Sequence, residues 1–178
     1  MADDPFFTFL KDPNRDNFIA IRDVVRNHSS YAPYGQELNA AEKLLEGEDW
    51  NGFIDKGREL IPNYLLSPRF HLMRSFALKQ IGDEESADME AAMCMVCIEG
   101  IRSTGDGTED APWLVLRTLD EYDVLEQMGK SLKKQALVHK EGRALDRMEC
   151  EDGEVVWFDV TDAFKKLNEE MGEGKSGQ

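Results

Sequence analysis

The hydrophobic pattern of this chain changes period at Arg102. Before that point apolar residues return every three or four positions, the spacing that gives a helix one buried face. After it they alternate, as in strands with one covered face. A chain that runs helices first and strands afterwards is predicted to be α+β, with antiparallel helical pairs packed against a small, mainly antiparallel β-sheet. Four strands cannot bury one face alone, so residues 1–178 are read as a single unit. Its helical portion is 12–102, its β-rich portion 103–160, its last helix 161–171 and its disordered tail 172–178.

Local signals refine this division. Asp12 followed by Pro13 predicts a helix opening, since aspartate caps free amides and proline fits the first turn. That helix would run to Asn27 on Phe18, Ile21 and Val25, and a connector, His28 to Gly35, breaks its period. Two helical pairs follow: Leu38, Ala41 and Leu45 with Trp50, Phe53 and Ile54, then Met73, Phe76 and Ala77 with Glu84 to Ile101. The last of these is apolar nearly all round from Ala91 to Ile98 and is predicted to be the most buried. Strands are predicted over 113–119, 133–139, 144–150 and 154–160, with a short helix over 120–128 and turns at Glu141–Gly142 and Asp152–Gly153.

Charge narrows the function classes. Lysine and arginine number 21 against 36 for aspartate and glutamate, a net charge of −15, and such a field repels phosphate backbones and anionic lipid. Nucleic acid and membrane are not expected as partners. The longest apolar run, Ala91 to Ile98, falls far short of the roughly 18 residues a membrane helix needs. With 3 cysteines and no apolar leader, a reducing, cytoplasmic setting is expected.

The second helical pair resembles a tetratricopeptide repeat. In Phe70 to Glu99, Ser75, Ala87 and Cys94 take small positions and Gly82–Asp83 takes the interhelix turn, while Arg74 replaces the usual leucine and Glu99 the terminal proline. Over about 35–100 the resemblance implies helical pairs with a binding face on the first helix of each. More broadly, Tyr31 to Gly35, Gly82–Asp83, Ser103 to Thr108, Asp120 to Tyr122 and Trp157 to Asp159 resemble an uncharacterised domain-of-unknown-function family, across most of 28–160. That likeness implies a shared fold and no activity.

No convergent catalytic set is legible, so no residue is assigned a catalytic role and no cofactor is expected. Cys94 and Cys97 share redox or zinc spacing but lie in an apolar helix, where packing explains them better. The repeat-like face offers His71, Arg74, Ser75 and Leu78 for a protein or peptide partner, with Tyr31 and Tyr34 as aromatic additions. Terminal-carboxylate clamps need lysine and asparagine where this chain has Leu72, Phe76 and Gln80. The alternative is a divalent-cation-dependent enzyme or metal-binding protein, using oxygen ligands from Asp106, Glu109 and Asp110 with Asp120, Glu121 and Asp123. A homodimeric structural subunit is a further alternative. The leading expectation is a non-enzymatic protein- or peptide-interaction module.

Overall fold

The computed structural model describes residues 4–173, and side chains as far as Glu169. The helices are α1 (Pro5–Lys11), α2 (Arg15–Arg26), α3 (Glu37–Glu46), α4 (Trp50–Leu60), α5 (Pro68–Gln80), α6 (Glu84–Arg102), α7 (Thr118–Gln127) and α8 (Thr161–Glu173). The strands are β1 (Trp113–Leu114), β2 (Leu132–Lys140), β3 (Arg143–Cys150) and β4 (Val155–Asp159). They form one sheet in the order β1-β4-β3-β2, with β1 parallel to β4 and the remaining pairs antiparallel. The chain is therefore α+β, as the change of period predicts.

Two corrections concern helix starts. An aspartate–proline opening does begin a helix, but at Asp4–Pro5, where the Asp4 carboxylate accepts from Phe6 N. Asn14 caps α2, accepting from Asn17 N, so Asp12 and Pro13 lie in the link between two helices. The strand predicted over 113–119 shrinks to Trp113–Leu114, because Val115 and Leu116 turn into the core and α7 begins at Thr118. Helix α6 is also less enclosed than its composition suggests. It buries Ala87, Cys94, Cys97, Ile98 and Ile101 but exposes Met89 and Met95.

The three long strands fall close to their predicted ranges. Between β2 and β3, Glu141 (φ 51°) and Gly142 (φ 76°) are both left-handed, the backbone of a tight hairpin whose twist matches its strands. At the other end, the tail predicted over 172–178 begins inside α8, and residues 174–178 lie outside the described residues.

Apolar side chains gather in two clusters. The smaller joins Leu38 and Ala41 of α3, Phe53 and Ile54 of α4, and Phe70 and Ala77 of α5. The larger joins Phe9, Phe18 and Ile21 of the first helices to Val124 of α7 and to Met148, Val156 and Phe158 of the sheet. Helix α6 belongs to both, through Ala87 in one and Cys97, Ile98 and Ile101 in the other. The sheet thus hides its inner face on helices, as its alternating pattern requires.

Close approach at α6 depends on one missing side chain. A Cβ at Gly100 would stand 2.4 Å from a Phe18 ring carbon and 2.6 Å from one of Phe9. Both rings are buried, 1% and 0% exposed, so neither has room to retreat. Gly100→Val is expected to destabilise the protein by about 3 kcal/mol, near the upper end of ordinary overpacking. Urea unfolding should show a lower midpoint with an unchanged slope.

Candidate functional site

Of the residues expected to form a repeat-like binding face, three point inward. His71 is 3%, Ser75 4% and Leu78 6% exposed. His71 is held at both ring nitrogens: Nε2 donates to Leu65 O at 2.8 Å, and Nδ1 lies 2.7 Å from Glu90 Oε2. Glu90 also binds Arg74 at 3.1 Å, so one carboxylate of α6 fastens two side chains of α5. Tyr31 is buried and donates to Leu116 O at 2.7 Å, while Tyr34 remains half-buried near Asp146 and Glu121.

The face that α5 leaves open carries Leu72 and Phe76, 54% and 49% exposed and one turn apart. With Leu45 of α3, the half-buried Met73 and Lys79 they line a depression of about 360 Å³. Trp50 braces Phe76 edge to face, with ring centroids 5.5 Å apart. A second depression of about 100 Å³ continues from Leu72 past Arg69, Cys94 and Ile98 to Glu126 and Gln127. A third, of about 760 Å³, starts from the same Ile98 and Gln127 and reaches Met95, Glu99, Arg102 and Trp113. Leu72 borders the first and second depressions and Ile98 and Gln127 the second and third, so the three adjoin along α3, α5, α6 and α7 and are taken together as a groove. Leu72 and Phe76 are the positions at which a carboxylate clamp fails, and that same substitution by apolar side chains builds the groove.

The six acidic candidates have separate destinations. Glu109 pairs with Lys140 at 2.8 Å, Asp110 is exposed, and Asp106 accepts from Thr108 N at 3.0 Å, which steadies its own loop. Asp120, Glu121 and Asp123 diverge because successive positions on α7 face different neighbours. Asp120 Oδ2 caps the helix by accepting from Arg117 N at 3.0 Å. Asp123 holds Arg69 at 2.8 and 3.0 Å on the groove floor. Glu121 points to the sheet, where Gln135 Nε2 donates to it at 3.3 Å and to Asp146 Oδ2 at 2.8 Å. Among the described residues, no group of three or more acidic, histidine or cysteine side chains could hold a metal ion.

Burial dominates the electrostatics of α7. It pushes Asp120 up to about 7, against the pull of Arg117, and outweighs the Arg69 ion pair in raising Asp123. Glu121 is pushed up to about 10, by burial first and then by the neighbouring Asp146 carboxylate. The thiols follow the same logic: burial raises Cys94 to about 11 and Cys97 well above the ordinary thiol value. All three cysteines are free and buried, and these two have little thiolate to offer.

Arg117 was missed by the sequence reading. It is 1% exposed, with Nη2 donating to Asn63 O and Oδ1 and its guanidinium carbon 4.4 Å from the Tyr64 ring centroid. It joins the connector before α5 to the start of α7. Asp146 was missed as well, because it reaches Gln135 only through the register of β2 with β3, and Glu121 only through the packing of α7 near the sheet.

The family described as Domain of unknown function (DUF4919) matches residues 25–170, a stretch that contains the resemblance read over 28–160. No curated protein and no solved structure matches the chain. Among the described residues, no helix is long and apolar enough to cross a membrane.

Proposed function

The chain belongs to the DUF4919 family, a grouping whose description names no activity, and from the groove we propose that it is a protein-interaction module that docks an amphipathic, net-basic helix of a partner. The observation that carries this reading is that three depressions adjoin, with Leu72 on the border of the first two and Ile98 and Gln127 on that of the last two. Its exposed apolar side chains, Leu72, Phe76 and Met95, lie on adjoining helices rather than scattered singly over the surface. A helix laid into a groove buries apolar anchors spaced by three or four residues, and Leu72 and Phe76 present that spacing on the receiving side.

Charge supplies the second constraint on the partner. The net charge of −15 attracts cations over the whole surface, and Glu99 and Glu126 stand on the groove walls. Asp123 ties up Arg69, and Arg102 lies over Trp113 with its guanidinium carbon 5.6 Å from the ring centroid. Basic residues on a docked helix would therefore meet acid along the second and third depressions, at Glu126 and Glu99. Its apolar anchors lie in the first, where Lys79 is the one charged wall residue among the described residues and would face the uncharged or acidic end of the helix.

The test is titration of the full chain with a fluorescent 14-residue amphipathic peptide of leucine and lysine. Leu72→Asp with Phe76→Asp should weaken binding by at least tenfold, because two apolar contacts become buried charges. Val24→Asp, at an exposed apolar residue outside the groove, should change it by less than twofold. Equal binding by all three proteins would reduce the peptide's attraction to bulk charge and overturn the reading.

A further inference from the structure

On the side of α7 away from the groove, Glu121 and Asp146 are 0% and 5% exposed, and the charges acting on Glu121 are the negative ones of Asp146 and Asp120. Buried carboxyls are ordinarily matched by a cation. Among the described residues, the only donor to both is the Gln135 amide, which lies 2.8 Å from Asp146 Oδ2 and 3.3 Å from Glu121 Oε2. Glu121 Oε1 is buried and accepts from no donor, and what links the two carboxyls directly is the Glu121 proton, shared with Asp146. The amide occupies the place where an N–H fork would bridge two carboxyls.

The surroundings suit a planar cation. Gln135 is exposed on the edge strand β2 and has solvent into which it can turn. Tyr122 is 37% exposed and donates to Gln135 Oε1 at 2.6 Å, and Tyr34 is close enough to feel both carboxyl charges. The geometry points to a binding site for a guanidinium group, in which Glu121 and Asp146 accept its N–H donors, Gln135 swings aside, and the tyrosines flank its plane. Guanidinium is favoured over ammonium because its fixed fork matches paired carboxyls and its face stacks on aromatic rings.

Entry of the cation has a proton consequence. Glu121 holds its proton near neutral pH, since burial, Asp146 on β3 and Asp120 on α7 all raise it, with Tyr34 and Tyr122 the other titratable groups at hand. Binding would release that proton to solvent, so affinity should rise by about tenfold per pH unit below pH 10.

The experiment titrates the full chain with N-acetyl-arginine amide, using the citrulline analogue as a neutral control of the same shape, and follows the side-chain carboxyl carbons of Glu121 and Asp146 by NMR from pH 7 to pH 9. A parallel titration with free arginine separates a small-molecule source from an arginine of a protein, which the capped probe imitates. Expected are shifts at both carboxyls with the arginine probes alone, growing with pH, weakened at least tenfold in Glu121→Gln and strengthened in Gln135→Ala. Equal response to the citrulline analogue, no response to tens of millimolar probe, or binding that Glu121→Gln leaves unchanged would overturn the site. Because Gln copies the shape of a protonated Glu, that variant is expected to fold.

Discussion

Glu121→Gln should make the protein more stable, by roughly 3–5 kcal/mol at pH 8, with a gain that vanishes near pH 4.5 and is complete near pH 10. The sign follows from where the proton sits. The buried carboxyl is raised from an ordinary 4.5 to about 10. Below pH 4.5 folded and unfolded chains both hold the proton and the residue is neutral in the balance. Between pH 4.5 and 10 the unfolded chain releases it while the folded chain retains it, so the Glu121 contribution to wild-type stability falls by about 1.4 kcal/mol per unit, on top of whatever Asp120 and Asp123 contribute equally in both proteins. Glutamine keeps the shape of the protonated acid and has no proton to lose. Urea unfolding of both proteins from pH 5 to pH 9 checks this, and a difference that stays flat across that range would show that Glu121 is not held protonated.

Arg117→Ala should have the opposite effect, a loss of about 3–5 kcal/mol, the range for removing one partner from a buried charged network. Three losses combine. Asn63 O and Oδ1 give up their shared donor, the cation that lowers the buried Asp120 disappears, and a side-chain volume is vacated between the rings of Tyr64 and Tyr31, at 4.4 and 5.9 Å from the guanidinium carbon. Arg117→Met separates volume from charge, since it fills most of the space and carries none of the donors. It should recover about half of the loss, as cavity terms alone reach that size. Should Arg117→Ala unfold at the wild-type urea midpoint, the guanidinium would be a passenger rather than a hub.

What was legible in the sequence was whatever depended on short-range periodicity. The strands β2, β3 and β4 follow from alternation between glycine-bearing turns, and the five helices from α2 to α6 follow from apolar spacing. Misreadings occurred where one signal served two structures. Trp113 to Leu116 is a continuous apolar run, which reads as strand, yet the ladder with β4 covers only Trp113 and Leu114 and ends in a single Val115 N–H to Asp159 O bond, beyond which the chain turns toward α7. Helix α1 has only seven residues, too few to establish a period.

The sites depended on distance in the fold. Helix α5 is apolar on several sides, so its composition could not say whether Leu72 and Phe76 or Leu78 and Ala77 would face solvent. Packing against α6 decides it, because Glu90 draws His71 and Arg74 inward and turns Leu72 and Phe76 out. Asp120, Glu121 and Asp123 look like one acidic cluster in sequence, but a helix aims them at Arg117, Asp146 and Arg69 respectively. Glu121 meets Asp146 only because two strands and a hairpin intervene, and no local spacing encodes that meeting.

The most direct test of the interaction reading is a backbone amide NMR map of the full chain with the leucine–lysine peptide. The account predicts one continuous set of perturbed amides through Leu45, Leu72, Phe76, Met95 and Gln127, absent from the Leu72→Asp, Phe76→Asp protein. Perturbations spread evenly over acidic residues such as Glu85, Asp88 and Glu154, or confined to a face that leaves Leu72 and Phe76 unmoved, would contradict it.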